Sequence, residues 1–127
     1  MKINIETIPQ KDHRPEAGPT VGDYWVDKDG SIQIRISEMK SADYEVLVLM
    51  HELTELFLCA HNGVRFEDID KFDSENPDLD YPGDEPLAPY QNEHNFATAV
   101  ERMLCAAMGV KWQEYDDYLL ELIDGKS

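Results

Sequence analysis

Three ionisable residues sit in the middle of the most apolar stretch of the chain. Val46 to Gly63 reads Val-Leu-Val-Leu-Met-His-Glu-Leu-Thr-Glu-Leu-Phe-Leu-Cys-Ala-His-Asn-Gly, with His51, Glu52 and Glu55 at its centre. On a helix, residues four apart share a face, so His51 and Glu55 point the same way with Glu52 beside them. Burying two carboxylates and an imidazole among leucines costs several kcal/mol per ion unless something compensates. No Lys or Arg lies between Ser41 and Gly63. A bound divalent metal is the most economical source of the missing charge.

The spacing suits that chemistry. In a His-Glu-x-x-His helix, two histidines one turn apart hold zinc and the adjacent glutamate is the general base. His51-Glu52-Leu53-Thr54-Glu55 keeps the first His and the Glu, and puts a carboxylate, itself an acceptable zinc ligand, in the second ligand position. The third ligand has to come from later in the chain. His94 is the first choice, with Glu101 and Asp73 in reserve. Glu52 would then take a proton from a water whose pKa the metal lowers. Two plainer readings stand beside this one. His51 could be a core histidine bonded to Glu55, or to Glu101 across a helix interface, with no metal; or a metal could be held purely as structural cement. Cys59 and His61 flank the group, but packing and helix capping explain them more simply.

These residues need elements to hold them. At 127 residues the chain is expected to be a single domain, residues 1–127, large enough to bury a core without disulfide support. Lys2 to Ile8 alternates and reads as a strand ended by Pro9, and residues 9–22 as a surface loop in which His13 is simply exposed. Gly22 to Ser37 reads as a hairpin turning at Asp27-Lys28-Asp29-Gly30. Residues 1–40 therefore form a small β-sheet. Ser41 is the expected cap of a central helix over 41–63, closed by Gly63. Residues 64–90 hold four prolines and are expected to be a largely irregular acidic loop, with at most a helical turn near Phe66–Phe72. Two helices follow within 91–124. The first has Phe96, Ala99, Val100, Met103, Leu104 and Ala107 on its core side, and His94 and Glu101 two turns apart. The second packs through Trp112, Tyr115 and Leu119, with Asp116, Asp117 and Glu121 facing water. The expected fold is α+β: a small antiparallel sheet, strand plus hairpin, packed on a central metal-site helix and two further C-terminal helices.

Charge limits the partners. Lys and Arg number 11 against 27 Asp and Glu, a formal net charge of −16. Direct nucleic-acid binding is disfavoured, because the phosphate backbone would be repelled. Ten of the acids fall in residues 64–95, against Arg65 and Lys71. No run of about 18 apolar residues occurs and the first twenty residues lack a signal-peptide core, so no membrane partner is expected. The two cysteines, Cys59 and Cys105, fit buried free thiols of a reducing cytoplasm better than a disulfide.

Two resemblances follow from these motifs. The hairpin, the helix carrying His51-Glu52, the irregular loop and the later His- and Glu-bearing helix together resemble small zincin-like metallopeptidase domains. Such a domain implies Zn2+ or another divalent cofactor, hydrolase activity and an edge strand beside the metal helix that pairs with extended substrate; Ile32–Ile36 would be that strand. Identity to the motif is confined to His51 and Glu52. The stretches His51–Glu55, Val64–Asp73 and Pro82-Gly-Asp-Glu-Pro-Leu-Ala-Pro-Tyr-Gln-Asn-Glu-His-Asn-Phe-Ala also look like small proteins of tailed bacteriophages and prophages, which implies a bacterial host cytoplasm. Two functions are therefore expected to compete. One is a metal-dependent, peptidase-like hydrolase. The other is a non-catalytic acidic protein that binds a host protein or peptide, or imitates nucleic acid, with the His/Glu cluster structural.

Overall fold

Three strands and four helices follow one another in the computed structural model, which describes residues 1–125. They are β1 (Ile3–Ile8), β2 (Gly22–Val26), β3 (Ile32–Ser37), α1 (Ala42–Asn62), α2 (Phe66–Glu75), α3 (Gln91–Met108) and α4 (Trp112–Ile123), with single 3-10 turns at Gln10–Asp12, Pro15–Ala17 and Pro82–Asp84. The class is α+β, as expected. The last two residues of the expected 1–127 domain lie outside the described residues.

The sheet is mixed where an antiparallel one was expected. Its order is β1-β3-β2; β2 and β3 form the expected antiparallel hairpin, but β1 pairs with β3 in parallel, Ile3 opposite Ile32 through Ile8 opposite Ser37. Side-chain alternation in a strand says nothing about its direction. Direction is set here by residues 9–21, which carry the chain from one edge of the sheet to the other. A second correction follows. Ile32–Ile36 lies in the middle strand with both sides paired, so it is not an edge that can receive an extended chain. The strand that reaches the site is β2, at the edge: a Cβ added at Gly22 would stand 2.7 Å from the Glu52 side chain.

One face of β3, through Ile34 and Ile36, packs with Tyr24 of β2 against Leu47, Val48, Leu56 and Cys59 of α1, and Tyr115 and Leu119 of α4 close the core. Cys59 and Cys105 are free and buried, as expected. Gly63 ends α1 at φ 76°, a left-handed backbone that suits glycine. Ser41 precedes α1 without a side-chain capping bond. The Glu45 carboxylate instead accepts the Met39 backbone N–H at 2.8 Å.

Helix α3 is rotated relative to its expected orientation. Its buried residues are Glu93, Ala97, Glu101 and Cys105, an i, i+4 stripe that is half carboxylate, while Phe96 and Met103 are 58% and 66% exposed. The acidic segment is also more ordered than expected, since α2 occupies ten of its residues. His13, expected to be merely exposed, is half-buried with Nε2 2.8 Å from Ser37 Oγ. Asp116 does not simply face water: it accepts the Tyr81 hydroxyl at 2.8 Å. Among the described residues no helix is long and apolar enough to cross a membrane.

Arg14 joins three parts of the fold. Its guanidinium donates to Asp23 of β2 at 2.8 and 3.0 Å and to Asp70 of α2 at 3.2 and 3.3 Å, and it stacks over Trp25 at 4.5 Å. Burial works against the charge, but the two carboxylates outweigh it and hold the guanidinium more firmly protonated than usual. Asp23 is only 7% exposed, so removing its partner strands a buried charge. Arg14→Met is expected to cost about 2–4 kcal/mol in urea unfolding. Glu6→Gln, which breaks only the exposed pair with Arg35, is expected to cost less than about 1 kcal/mol.

Candidate metal centre

Helix α1 supplies His51 and Glu55 because they are one turn apart, and α3 supplies His94 because it packs antiparallel alongside. His51 meets Glu101, Glu55 meets His94, and Asn62 meets Glu93. Ala97, fully buried between His94 and Glu101, lets the two helices come close. The result is a convergence of three atoms. Glu55 Oε2 is 3.1 Å from His51 Nε2 and 2.9 Å from His94 Nδ1, and the two nitrogens are 3.3 Å apart. Three donors bound to one zinc at about 2.0–2.1 Å with tetrahedral angles would lie about 3.4 Å from one another. The observed triangle is close to that size.

The outward atoms of the same three residues are all occupied. His51 Nδ1 is 2.8 Å from Glu101 Oε1, His94 Nε2 is 3.0 Å from Asp84 Oδ1, and Glu55 Oε1 accepts the Tyr24 hydroxyl at 2.7 Å. Glu101 is itself fixed by the Tyr115 hydroxyl at 2.5 Å. An ionised carboxylate only accepts hydrogen bonds, so the outward nitrogen of each histidine carries the proton. The inward nitrogens of neutral rings then present lone pairs, aimed at each other and at a carboxylate oxygen. Such a group requires positive charge at its centre. Two protons, making both rings imidazolium, or one divalent ion would supply the same two charges.

The protonation tendencies follow from this arrangement. Burial alone would depress both histidines. The bonds to Glu101 and Glu55 raise His51 well above an ordinary imidazole, and those to Asp84 and Glu55 raise His94 to about 9. Burial pushes Glu55 upward, but its two histidines outweigh that and hold it well below the usual carboxylate range. Glu52 is raised, first by burial and then by the charge of Glu55. It is half-buried, lines the cavity and has no hydrogen-bond donor among the described residues.

Two glycines permit this geometry. A Cβ at Gly83 would stand 2.5 Å from His94 Cγ, and one at Gly22 would overlap Glu52. The His94 ring can therefore turn toward Glu55 only because residue 83 has no side chain. The site opens into a cavity of about 480 Å³ between β2, α2, the 80–84 turn, α3 and α4.

Of the residues singled out from the sequence, His51, Glu55 and His94 converge and Glu52 lies beside them. Glu101, named in reserve, lies outside the converging group, against the outward nitrogen of His51. Asp73 is a cavity wall residue, accepting the Tyr90 hydroxyl at 2.5 Å, and is outside the converging group. Cys59 and His61 are not part of it; burial and Glu55 push the Cys59 thiol up to about 12. The supporting roles of Asp84, Tyr24, Tyr115 and the two glycines at this group escaped the sequence reading. Only Pro82-Gly83-Asp84 carried any signal, as a turn with an acid next to the expected His94 helix. Compared with protein-family models, with curated proteins and with solved structures, the chain has no match.

Two outcomes follow. Metal must displace the protons that the raised histidines hold, so apparent zinc affinity is expected to climb from about pH 6 to about 9 with release of up to two protons, and then to level off. Calorimetry in buffers of different ionisation enthalpy measures this; a pH-independent affinity would contradict the exchange. Separately, Tyr24→Phe and Glu101→Gln are each expected to weaken zinc binding by about 10–100-fold through loss of orientation, and Gly83→Val to abolish it, in competition titrations with a chromophoric chelator.

Proposed function

We propose that the chain is a divalent-metal-dependent hydrolase, zinc being the favoured ion, that acts on a peptide or a related amide. His51, Glu55 and His94 would hold the ion and Glu52 would be the general base. One observation carries this reading: three inward acceptor atoms converge within 3.3 Å while every outward atom of the same side chains already has a partner. Two histidines and a carboxylate form an ordinary catalytic zinc set that leaves a position open. The set also suits ferrous iron, but a carboxylate with no donor of its own beside the ligands fits hydrolysis better.

An ion held by His51, Glu55 and His94 would supply an acidified water and a Lewis acid for the scissile carbonyl. Glu52 removes the proton from the attacking water and passes it to the leaving nitrogen, a relay suited to a carboxylate raised toward neutrality. Glu101 and Asp84 keep the two imidazoles in the tautomers that face inward. Tyr24 holds one oxygen of Glu55 so that the other points to the centre. The zincin resemblance is consistent with this scheme through the His-Glu helix and the edge strand β2, whose Gly22 makes room for Glu52.

The alternative is a non-catalytic acidic protein that binds a factor of a bacterial host. It draws on the acids of residues 64–95. Asp70, Asp73, Asp84 and Glu93 of that set are engaged with Arg14, Tyr90, His94 and Asn62, which leaves a smaller outward face for mimicry.

Elemental analysis of protein purified without a metal column, followed by zinc reconstitution, separates the two. About one zinc per chain is expected, falling to near zero in His51→Ala. Glu52→Gln should keep its metal and lose hydrolysis of a casein or peptide substrate by at least about 100-fold. Metal-free wild-type protein after reconstitution, with an unchanged melting temperature, would end the proposal in favour of the acidic binding protein.

A further inference from the structure

The cavity at the metal centre carries far more negative charge than its ligands need. Among the described residues nine carboxylates line it, and the only Lys or Arg side chain in its wall is Arg102. Arg14 pairs with two of the nine, Asp23 and Asp70, from outside the wall. Arg14 brings a single charge, and a divalent ion would supply two more. The cavity therefore keeps more carboxylates than cationic partners, which favours a positively charged occupant.

Two of these carboxylates are held in a distinctive way. Asp73 on α2 accepts the Tyr90 hydroxyl at 2.5 Å, and Asp116 on α4 accepts the Tyr81 hydroxyl at 2.8 Å. Neither has a Lys, Arg or His partner within ion-pair distance among the described residues. A phenol fixes the orientation of a carboxylate but leaves its charge in place. Both are half-buried and belong to different walls of the same cavity. Burial has pushed Asp73 up to about 7, so a cation brought beside it would draw it into the ionised form.

Resting on the hydrolase reading, we infer that the substrate is a basic peptide, with lysine or arginine side chains received by Asp73 and Asp116 from two walls of the cavity beside the metal centre. An acidic peptide would be repelled by the same walls, and a purely apolar one would leave both carboxylates without a counter-charge. Arg102, stacked 4.5 Å over Trp112, has no ion-pair partner among the described residues and can meet a backbone carbonyl or the peptide carboxylate.

The test uses zinc-loaded full-length Glu52→Gln protein, so that binding is read without turnover. The probes are two fluorescein-labelled decapeptides of matched length, one rich in lysine and arginine, the other with glutamine in their place. The basic peptide is expected to bind at least about tenfold more tightly, and Asp73→Asn and Asp116→Asn each to weaken it about five- to tenfold, with zinc content and melting temperature unchanged. Because a −16 chain attracts any polycation, Glu67→Gln/Glu121→Gln removes two exposed acids away from the cavity and is expected to leave affinity within about twofold. Equal binding of the two peptides, or equal loss in the exposed-acid variant, overturns the inference. The same titration on metal-free protein separates the two proposals. Retained Asp73- and Asp116-dependent binding in a chain that never takes up zinc would remove the hydrolase and keep the basic-peptide site.

Discussion

A single carboxylate oxygen governs how this molecule is put together. Glu55 Oε2 faces His51 on its own helix and His94 on the neighbouring one, in a place where the glutamate is 4% exposed. A buried carboxylate with no cation near it in sequence is costly, so the two imidazoles, or an ion between them, offset that cost where α1 meets α3. The rest of the interface follows from that need. Ala97 is small so that the helices can approach, Glu101 and Asp84 hold the outer nitrogens, and Gly83 leaves the ring of His94 room to turn. The order of the interface and the chemistry of the site thus depend on the same contact.

The chain handles its excess of acid in an economical way. With 11 Lys and Arg for 27 Asp and Glu, most carboxylates cannot have a cationic partner. Four of the six tyrosines donate to one instead: Tyr24 to Glu55, Tyr81 to Asp116, Tyr90 to Asp73 and Tyr115 to Glu101. A phenol satisfies a lone pair and restricts a rotamer while leaving the negative charge in place. The consequence is a cavity whose walls are rigid and still strongly negative. Arg14 works differently, as a true cation that ties β2 to α2 through Asp23 and Asp70.

The local pattern of the sequence was enough for the site on one helix. His51, Glu52 and Glu55 lie in a leucine-rich segment without nearby cations, and helical spacing alone places His51 and Glu55 on a common face. It was enough too for the hairpin, where Gly30 and the flanking strand residues leave little choice, and for the Gly63 helix end. The same reasoning named His94 as the third partner from its residue type and its position on a later helix. Apart from His94, which was chosen on residue type and lies 39 positions from Glu55, these inferences rest on interactions between residues a few positions apart, where backbone geometry is nearly fixed.

What tertiary structure decided was everything that depends on which face meets which. Helical periodicity put Phe96 and Met103 of α3 inside, yet the packed helix buries Glu93 and Glu101, which meet Asn62 and His51 of α1, and leaves those two out. The direction of β1 was equally hidden, since alternation is the same for parallel and antiparallel pairing. Asp84, Tyr24 and Tyr115 became visible as supports only once elements distant in sequence stood together. The sequence by itself determined that His51, Glu52 and Glu55 share a helix and need a counter-charge. Only the fold determined that His94 completes the group and that Glu101 stands one shell further out, because the distance from a carboxylate to a ring nitrogen across two helices is set by how closely those helices can pack.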